Sequence, residues 1–135
     1  MAALPEMQID LTHGVEFRDQ PSLTWIYDPI SNRLRGWGDG YEALRQAVEI
    51  ICNVERFRWQ IYSPNFGIEL EGLLGTEPGY AASELRRRLE DAFSADRRLL
   101  GLSRFDWRSD GERLFAETTV DTVFGPIPAA LEVKL

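Results

Sequence analysis

The clearest hydrophobic pattern is an alternation of apolar and polar positions in the C-terminal third of the chain. From Arg113, one face of an extended segment would carry Leu114, Ala116, Thr118, Val120 and Thr122. After turn residues at 124–126, the alternation resumes with Ile127, Ala129, Leu131, Val133 and Leu135. A period of two is typical of strands with one buried face, and Asp110-Gly111 is a strong hairpin signal. The pattern predicts a three-stranded meander that begins near Leu102 and runs to the last residue.

Two other stretches repeat their apolar residues at the spacing of an amphipathic helix. The first runs from Asp39 to about Val54, and its apolar face consists of Tyr41, Leu44, Val48 and Ile51. The second runs from about Tyr80 to Arg98, and its apolar face consists of Ala82, Leu85, Leu89, Ala92 and Phe93. Such stripes pack into a core. Asp39 is predicted near the N-cap of the first helix, because its carboxylate can accept hydrogen bonds from unpaired N–H groups there.

Two further stretches show strand patterns. Residues 24–37 are predicted to form a hairpin, because strand-like segments flank turn-forming residues at 28–32. Residues 57–62 alternate large apolar side chains with polar ones: Phe57, Trp59 and Ile61 against Arg58, Gln60 and Tyr62. This alternation predicts a half-buried strand that follows the first helix.

These elements predict an α+β fold, with a mainly antiparallel sheet and two helices packed on one face, in a single domain. The domain is predicted to span residues 23–135. An N-terminal arm at residues 1–22 shows no clear period and holds at most a short strand around Ile9 and Leu11. Pro128 cannot donate a hydrogen bond to a neighbouring strand, so its end of the last strand is predicted to lie at a sheet edge or in a bulge.

Composition narrows the classes of function. The chain has 135 residues, of which 44% are hydrophobic, enough for the core of one domain. Its formal net charge of −7 argues against general binding of nucleic acid or of an anionic membrane surface, because both attract clustered Lys and Arg. No stretch resembles a signal peptide or a membrane span. The single cysteine, Cys52, falls on the apolar side of the first helix, which predicts a small buried residue in a reducing cytoplasm.

The residue types that carry enzyme chemistry form no recognisable set. His13 is the only histidine, without a second His or Cys at metal-binding spacing. Glu55 with Glu69 or Glu71 could be imagined as a glycosidase pair, since that reaction uses two carboxylates across a sugar, but no spacing selects this pair over others. We therefore predict no catalytic residue, no metal and no cofactor.

The run Arg86-Arg87-Arg88 is a local positive cluster on the second helix. Acidic residues lie close to it in sequence: Glu84, Glu90 and Asp91. We interpret the run as a solvated helix face that these carboxylates balance. The functional alternative is a contact with an acidic protein surface.

Several motifs together resemble a known family. They are the helix-to-strand run NVERFRWQIYSPNFGIEL from Asn53, the helix ELRRRLEDAF and the C-terminal segment TVFGPIPAALEVKL. These motifs are similar to those of baseplate proteins of PBSX-type prophages and related contractile tails, within the wider family of wedge subunits that initiate the tail sheath. The resemblance covers about residues 24–135. It implies a structural, non-enzymatic baseplate subunit that gives the first ring of sheath subunits a template.

The resemblance also implies partners. In related machines, neighbouring subunits exchange terminal strands, so the expected partners are sheath subunits, other wedge proteins, and tube or hub proteins. It further implies several copies per baseplate ring, in a particle assembled in the bacterial cytoplasm. An acidic–basic motif of the larger family contacts the helical core of the wedge, and its closest match here is Glu55 and Arg56.

The residues themselves agree with the implied exchange in one respect, because a terminal strand presents unpaired backbone groups to which another strand can add. We therefore predict a docking site at the last strand, with these residues: Ala129, Leu131, Val133 and Leu135. Two alternative functions stay open at this point. One is a small cell-wall glycosidase, suggested by the carboxylates and by a lysozyme-like label on some relatives. The other is a generic acidic adaptor domain.

Overall fold

The computed structural model describes residues 22–135, so the predicted short strand near Ile9 and the single histidine lie outside the described residues. The elements follow one another along the chain in this order: β1 (Thr24–Asp28), β2 (Arg33–Gly38), α1 (Gly40–Asn53), a 3₁₀ helix (Glu71–Leu73), α2 (Pro78–Ser94), β3 (Leu99–Asp110), β4 (Arg113–Thr122) and β5 (Gly125–Lys134). The α+β class is confirmed.

The described strands form two separate antiparallel sheets. One is the predicted hairpin, β1–β2, and the other is the predicted meander with strand order β3-β4-β5. The register between β4 and β5 is regular along its whole length. Between β3 and β4 it shifts twice, between Leu99 and Gly101 and between Leu102 and Arg104. The β1–β2 hairpin has one shift, next to Ile26.

Both helices pack on one face of the three-stranded sheet, as predicted. α2 contacts β3 and β4, whereas α1 contacts β5 and, beyond the sheet, β1. The shared core includes fully buried side chains from each of these layers: Leu44 and Val48 of α1, Leu85, Leu89 and Phe93 of α2, Leu114 and Val120 of β4, and Ile127 of β5. The apolar stripes of the two helices and the alternating strands therefore meet in one hydrophobic cluster.

Polar side chains fix the ends of the helices. The Asp39 carboxylate accepts from the N–H of Gly40 at the start of α1, as predicted. α2 begins two residues before the prediction, because Pro78 suits the first turn of a helix and the Glu77 carboxylate accepts from the N–H groups of Gly79 and Tyr80. It ends at Ser94 rather than Arg98.

The early end of α2 has a local cause. The Asp96 carboxylate accepts from the backbone N–H of Arg98 at 3.0 Å and from its guanidinium at 2.7 and 3.0 Å. These bonds hold a turn that leads directly into β3, and Arg98 also donates to the hydroxyl of Ser22.

The predicted strand at residues 57–62 is wrong. These residues form turns, and the neighbouring strand contact is an isolated parallel bridge between Glu55 and Ile68. The Arg56 N–H donates to the carbonyl of Ile68, and the Ile68 N–H donates to that of Val54. The chain reverses at Phe57, which has a φ of +68°. An alternating segment becomes a strand only when another strand pairs with it, and none does so among the described residues.

Candidate docking surfaces

The outer edge of β5 is a free sheet edge within residues 22–135. β5 pairs with β4 alone in the order β3-β4-β5. The opposite edge, at β3, is interrupted by two register shifts, and bulges of this kind discourage further pairing. β5 is therefore the more regular of the two edges, which agrees with its predicted edge position.

The direction of each backbone group on β5 follows from the register. Leu135 donates its N–H to the carbonyl of Glu112, across the end of β4, at 2.6 Å. In a regular antiparallel ladder the bonded positions alternate, so the odd-numbered residues of β5 bond to β4 and the even-numbered ones point their N–H and C=O groups outward. Consistent with this, the hydroxyl of Tyr41 on α1 donates to the outward carbonyl of Pro126 at 3.2 Å.

Two prolines divide the free edge into unlike halves. Pro126 and Pro128 have no N–H, so the outward donors begin at Ala130 and continue at Glu132 and Lys134. The C-terminal half of β5 thus presents both donors and acceptors to an additional strand. The N-terminal half presents carbonyl groups alone.

The side chains of the predicted docking residues pack within the subunit itself. The side chains of Leu131 and Val133 are buried, and those of Ala129 and Leu135 pack partly buried against the same core. These side chains hold β5 onto α1 and the rest of the core. An additional strand would instead form hydrogen bonds with the backbone of the even-numbered residues. The docking residues predicted from the sequence did not include these.

Glu55 organises the segment between the helices. Its carboxylate accepts from the N–H of Leu70 at 3.0 and 3.1 Å and from that of Glu71 at 3.2 Å. These N–H groups lie at the start of the 3₁₀ helix, where no carbonyl of the helix accepts a hydrogen bond from them. Glu55 therefore ties the end of α1 to the entry of the next helical turn.

Arg56 holds the loop that follows, and it does so through other partners than Glu55. Its Nε donates to the carbonyl of Pro64 at 2.8 Å, and its Nη1 contacts the Asp91 carboxylate on α2 at 3.1 Å. Glu55 and Arg56 therefore act as two separate anchors, each with partners of its own. Contact of these residues with a partner stays a prediction.

The loop at residues 57–62 is an exposed apolar surface that the sequence analysis assigned to a half-buried strand. Phe57, Trp59 and Ile61 are 66%, 54% and 83% exposed. Two arginines lie over its rings: Arg56 is 4.9 Å from the centroid of Phe57, and Arg58 is 5.6 Å from that of Trp59. The positive φ of Phe57 costs about 1–3 kcal/mol for a bulky residue. Exposed apolar groups on a strained backbone are typical of binding loops.

The β1–β2 hairpin presents a second apolar surface. Trp25 and Trp37 stack across the strands with ring centroids 4.1 Å apart, yet both rings are about half exposed. Ile26 faces the other way and is buried. This surface was not among the predictions from the sequence, although the apolar run of Trp25, Ile26 and Tyr27 indicates a ribbon with two apolar faces.

The arginine run on α2 is matched by carboxylates of its own chain. Arg86 pairs with Glu90, whereas Arg87 and Arg88 both pair with Glu84. The hydrogen bond from Arg87 lowers the pKa of the Glu84 carboxyl. The Arg88 guanidinium also donates to the carbonyl of Glu69 at 2.7 Å. These contacts support the interpretation of an internally balanced helix face, which is solvated at Arg86 and Arg87 but partly buried at Arg88.

Two of the three carboxylates considered for a glycosidase, those of Glu55 and Glu71, are engaged elsewhere. Glu55 bonds backbone N–H groups, and Glu71 pairs with Arg58 at 3.2 Å. In residues 22–135, no three His, Cys, Asp or Glu side chains come together in a group able to hold a metal. Over the same range, no helix has the length and apolar character needed to cross a membrane. No observation on the described residues favours the glycosidase alternative.

An α+β domain with a free strand edge and exposed apolar loops is typical of a subunit within a protein assembly. Comparison with known families identifies the kind of assembly. The family model of the contractile injection system sheath initiator matches residues 24–125, so the chain belongs to the sheath initiator family. It is also similar to the phage-like element PBSX protein XkdS of Bacillus subtilis (strain 168), with 33% identity over 129 residues that cover 87% of this chain and 92% of that protein.

Membership in this family confirms the resemblance found in the sequence. The chain is a sheath-initiator baseplate protein, a structural component of a contractile tail that interacts with sheath and baseplate components. The generic adaptor alternative is thereby replaced by a defined class of assembly protein.

Proposed function

We propose that this subunit templates the first ring of sheath subunits by accepting a strand from a sheath subunit at the outer edge of β5. The supporting observation is the row of outward backbone groups on Ala130, Glu132 and Lys134. Each of these residues offers one donor and one acceptor, which is what a strand needs in order to add to a sheet. The role is structural and involves no catalytic residue.

The proposed partners are sheath subunits at this edge and other wedge proteins, with tube or hub proteins next to them. Several copies would occupy one baseplate ring of a particle assembled in the bacterial cytoplasm. The proposal includes no nucleic acid and no membrane, in keeping with the net charge of −7. The docking edge would belong to the predicted domain at residues 23–135, which follows the predicted arm at residues 1–22 in the sequence.

The docking edge is tested by removing one outward donor. Deleting residues 131–135 would also remove the buried Leu131 and Val133, so a point substitution is sharper. Glu132→Pro removes one outward N–H, and prolines are compatible with edge strands. We expect loss of sheath polymerisation on purified baseplates, scored by electron microscopy.

The matched control for this experiment is Glu132→Ala. Both substitutions remove the ion pair between Glu132 and Arg113, but Glu132→Ala keeps the backbone donor and should support sheath assembly. Full-length sheaths on Glu132→Pro baseplates would contradict strand addition at this edge.

We further propose that the loop anchored by Glu55 and Arg56 contacts the helical core of the wedge. Its exposed Phe57, Trp59 and Ile61 offer an apolar surface next to two arginines. Arg56→Glu should abolish wedge assembly while leaving a soluble fold, measured by co-purification of wedge subunits. Asp91→Asn is the control, because it breaks the same internal pair but keeps the positive charge of Arg56. Equal loss in both variants would mean that the pair only supports the loop.

A further inference from the structure

We infer that the groove between α1 and the free edge of β5 selects the strand that docks there, by receiving one uncharged aliphatic side chain such as Val, Ile or Leu. This inference rests on the proposed function, since it concerns the same edge. It adds the chemistry of the partner: an extended segment with an aliphatic residue on its inward face, opposite Ala129.

The position of the groove follows from the faces of the sheet. Ile127, Ala129 and Leu131 point from β5 toward the helices. A side chain directly opposite in an added strand would lie about 4.5–5.5 Å from its neighbour, on the same face. The inward side chains of a docked strand would therefore enter the space between Ala129 and α1.

This space is present in the described structure. The groove has a volume of about 250 Å³ and is lined by residues of α1 and β5: Arg45, Val48, Glu49, Cys52, Asn53, Pro128, Ala129 and Ala130. Small-molecule sites usually enclose about 300–1,000 Å³, so an open groove of this size suits one or two side chains better than a metabolite.

The chemistry of the groove sets the kind of side chain. Val48, Cys52 and Ala129 are apolar, and burial raises the pKa of the Cys52 thiol to about 12, so the thiol stays uncharged at neutral pH. Arg45 and Glu49 lie at the more exposed rim. Placing a charge among the apolar groups would cost several kcal/mol of desolvation. The occupant is therefore aliphatic, with polar residues on either side of it that meet the rim.

Ala129 is the residue that leaves room for this side chain. The inward neighbours on either side of it, Ile127 and Leu131, are large and buried, whereas Ala129 is small and only partly buried. Pro128, next to it, marks the end of the outward donors. The groove and Pro128 thus lie at the same point along β5. Together they would fix the register of the incoming strand.

The test compares similar added bulk on the two faces of the sheet. Ala129→Leu fills the groove, whereas the control, Thr119→Leu, places its side chain on the opposite face, in β4, whose two edges are both paired. The probe is the purified sheath subunit of the same tail, with binding measured by biolayer interferometry. We expect Ala129→Leu to weaken binding at least tenfold and Thr119→Leu to change it less than threefold. Equal binding by the two variants would overturn the inference.

Glu132→Pro separates this inference from the proposed function. If Glu132→Pro abolishes binding of the sheath subunit and Ala129→Leu does not, the strand docks without using the groove. If neither variant loses binding, docking at this edge is itself wrong.

Discussion

Asp96 shows how one side chain fixes both a turn and a response to pH. The hydrogen bond from Arg98 lowers the pKa of the Asp96 carboxyl. Its pKa in the folded protein is thus below the value of about 3.9 for an unfolded aspartate. The resulting stabilisation is fully present above that unfolded value and is lost as the pH falls through the lower, folded value.

We therefore predict that Asp96→Asn lowers the free energy of unfolding at pH 6 by more than it does at pH 3. Guanidinium denaturation of both proteins at the two pH values measures this difference. A cost of the substitution that is equal at both pH values would mean that the charge of Asp96 does not act through Arg98.

Phe57 and Glu55 mark the limit of residue-level prediction from sequence. The Glu55 carboxylate meets the N–H groups of Leu70 and Glu71 because the tertiary fold brings together segments that are distant in the chain. The left-handed backbone of Phe57 is also imposed by the fold, since a bulky residue does not favour it. No local pattern indicates either contact or conformation.

At the level of elements, the β1–β2 hairpin is attached to α1 by one side chain of α1, which forms hydrogen bonds that a neighbouring strand would otherwise form. The Gln46 side chain donates to the carbonyl of Trp25 at 2.8 Å and accepts from the N–H of Tyr27 at 2.9 Å. Its amide thus bonds to β1 as the peptide group of a neighbouring strand would. One edge of the hairpin is occupied by α1 in this way.

Replacing this amide should loosen the hairpin. We predict that Gln46→Ala lowers the free energy of unfolding by about 1–2 kcal/mol, because two hydrogen bonds are lost. Hydrogen exchange of the Tyr27 amide should accelerate more than exchange in β4. Gln60→Ala, at an exposed position of the 57–62 loop, is the control and should change neither quantity. Unaltered exchange at Tyr27 would contradict the attachment.

The elements differ in how far the sequence predicts them. β4, β5, α1 and α2 each have one buried face. Their hydrophobic patterns therefore indicate directly which side chains pack into the core. Residues 57–62 show the same alternation without a partner strand, and the prediction fails there. Pro128 indicated that its end of the last strand lies at a sheet edge or in a bulge. Which backbone groups of β5 point outward could be determined only from the register.

At the level of the whole molecule, both helices and the three-stranded sheet share one hydrophobic cluster. Leu89 belongs to this cluster and has no exposed surface. We predict that Leu89→Ala lowers the free energy of unfolding by about 2–5 kcal/mol, through lost burial and a residual cavity. Urea denaturation followed by circular dichroism and by tryptophan fluorescence should give one shared, lower midpoint.

An exposed leucine provides the comparison for this substitution. Leu100→Ala, at a side chain that is 66% exposed, should cost less than about 0.5 kcal/mol. Separate midpoints for the two signals in the Leu89→Ala protein would mean that the helices and the sheet do not unfold as one unit.

The prolines of β5 also have a consequence for the subunit before it is assembled. A long unpaired strand edge is a template for cross-β aggregation, and proline is one of the residues by which proteins limit it. With Pro126 and Pro128 in one half of β5, two identical copies that met edge to edge could form only a short ladder. Newly made subunits would thus be protected from forming fibrils with one another while the outer edge of β5 stays uncovered.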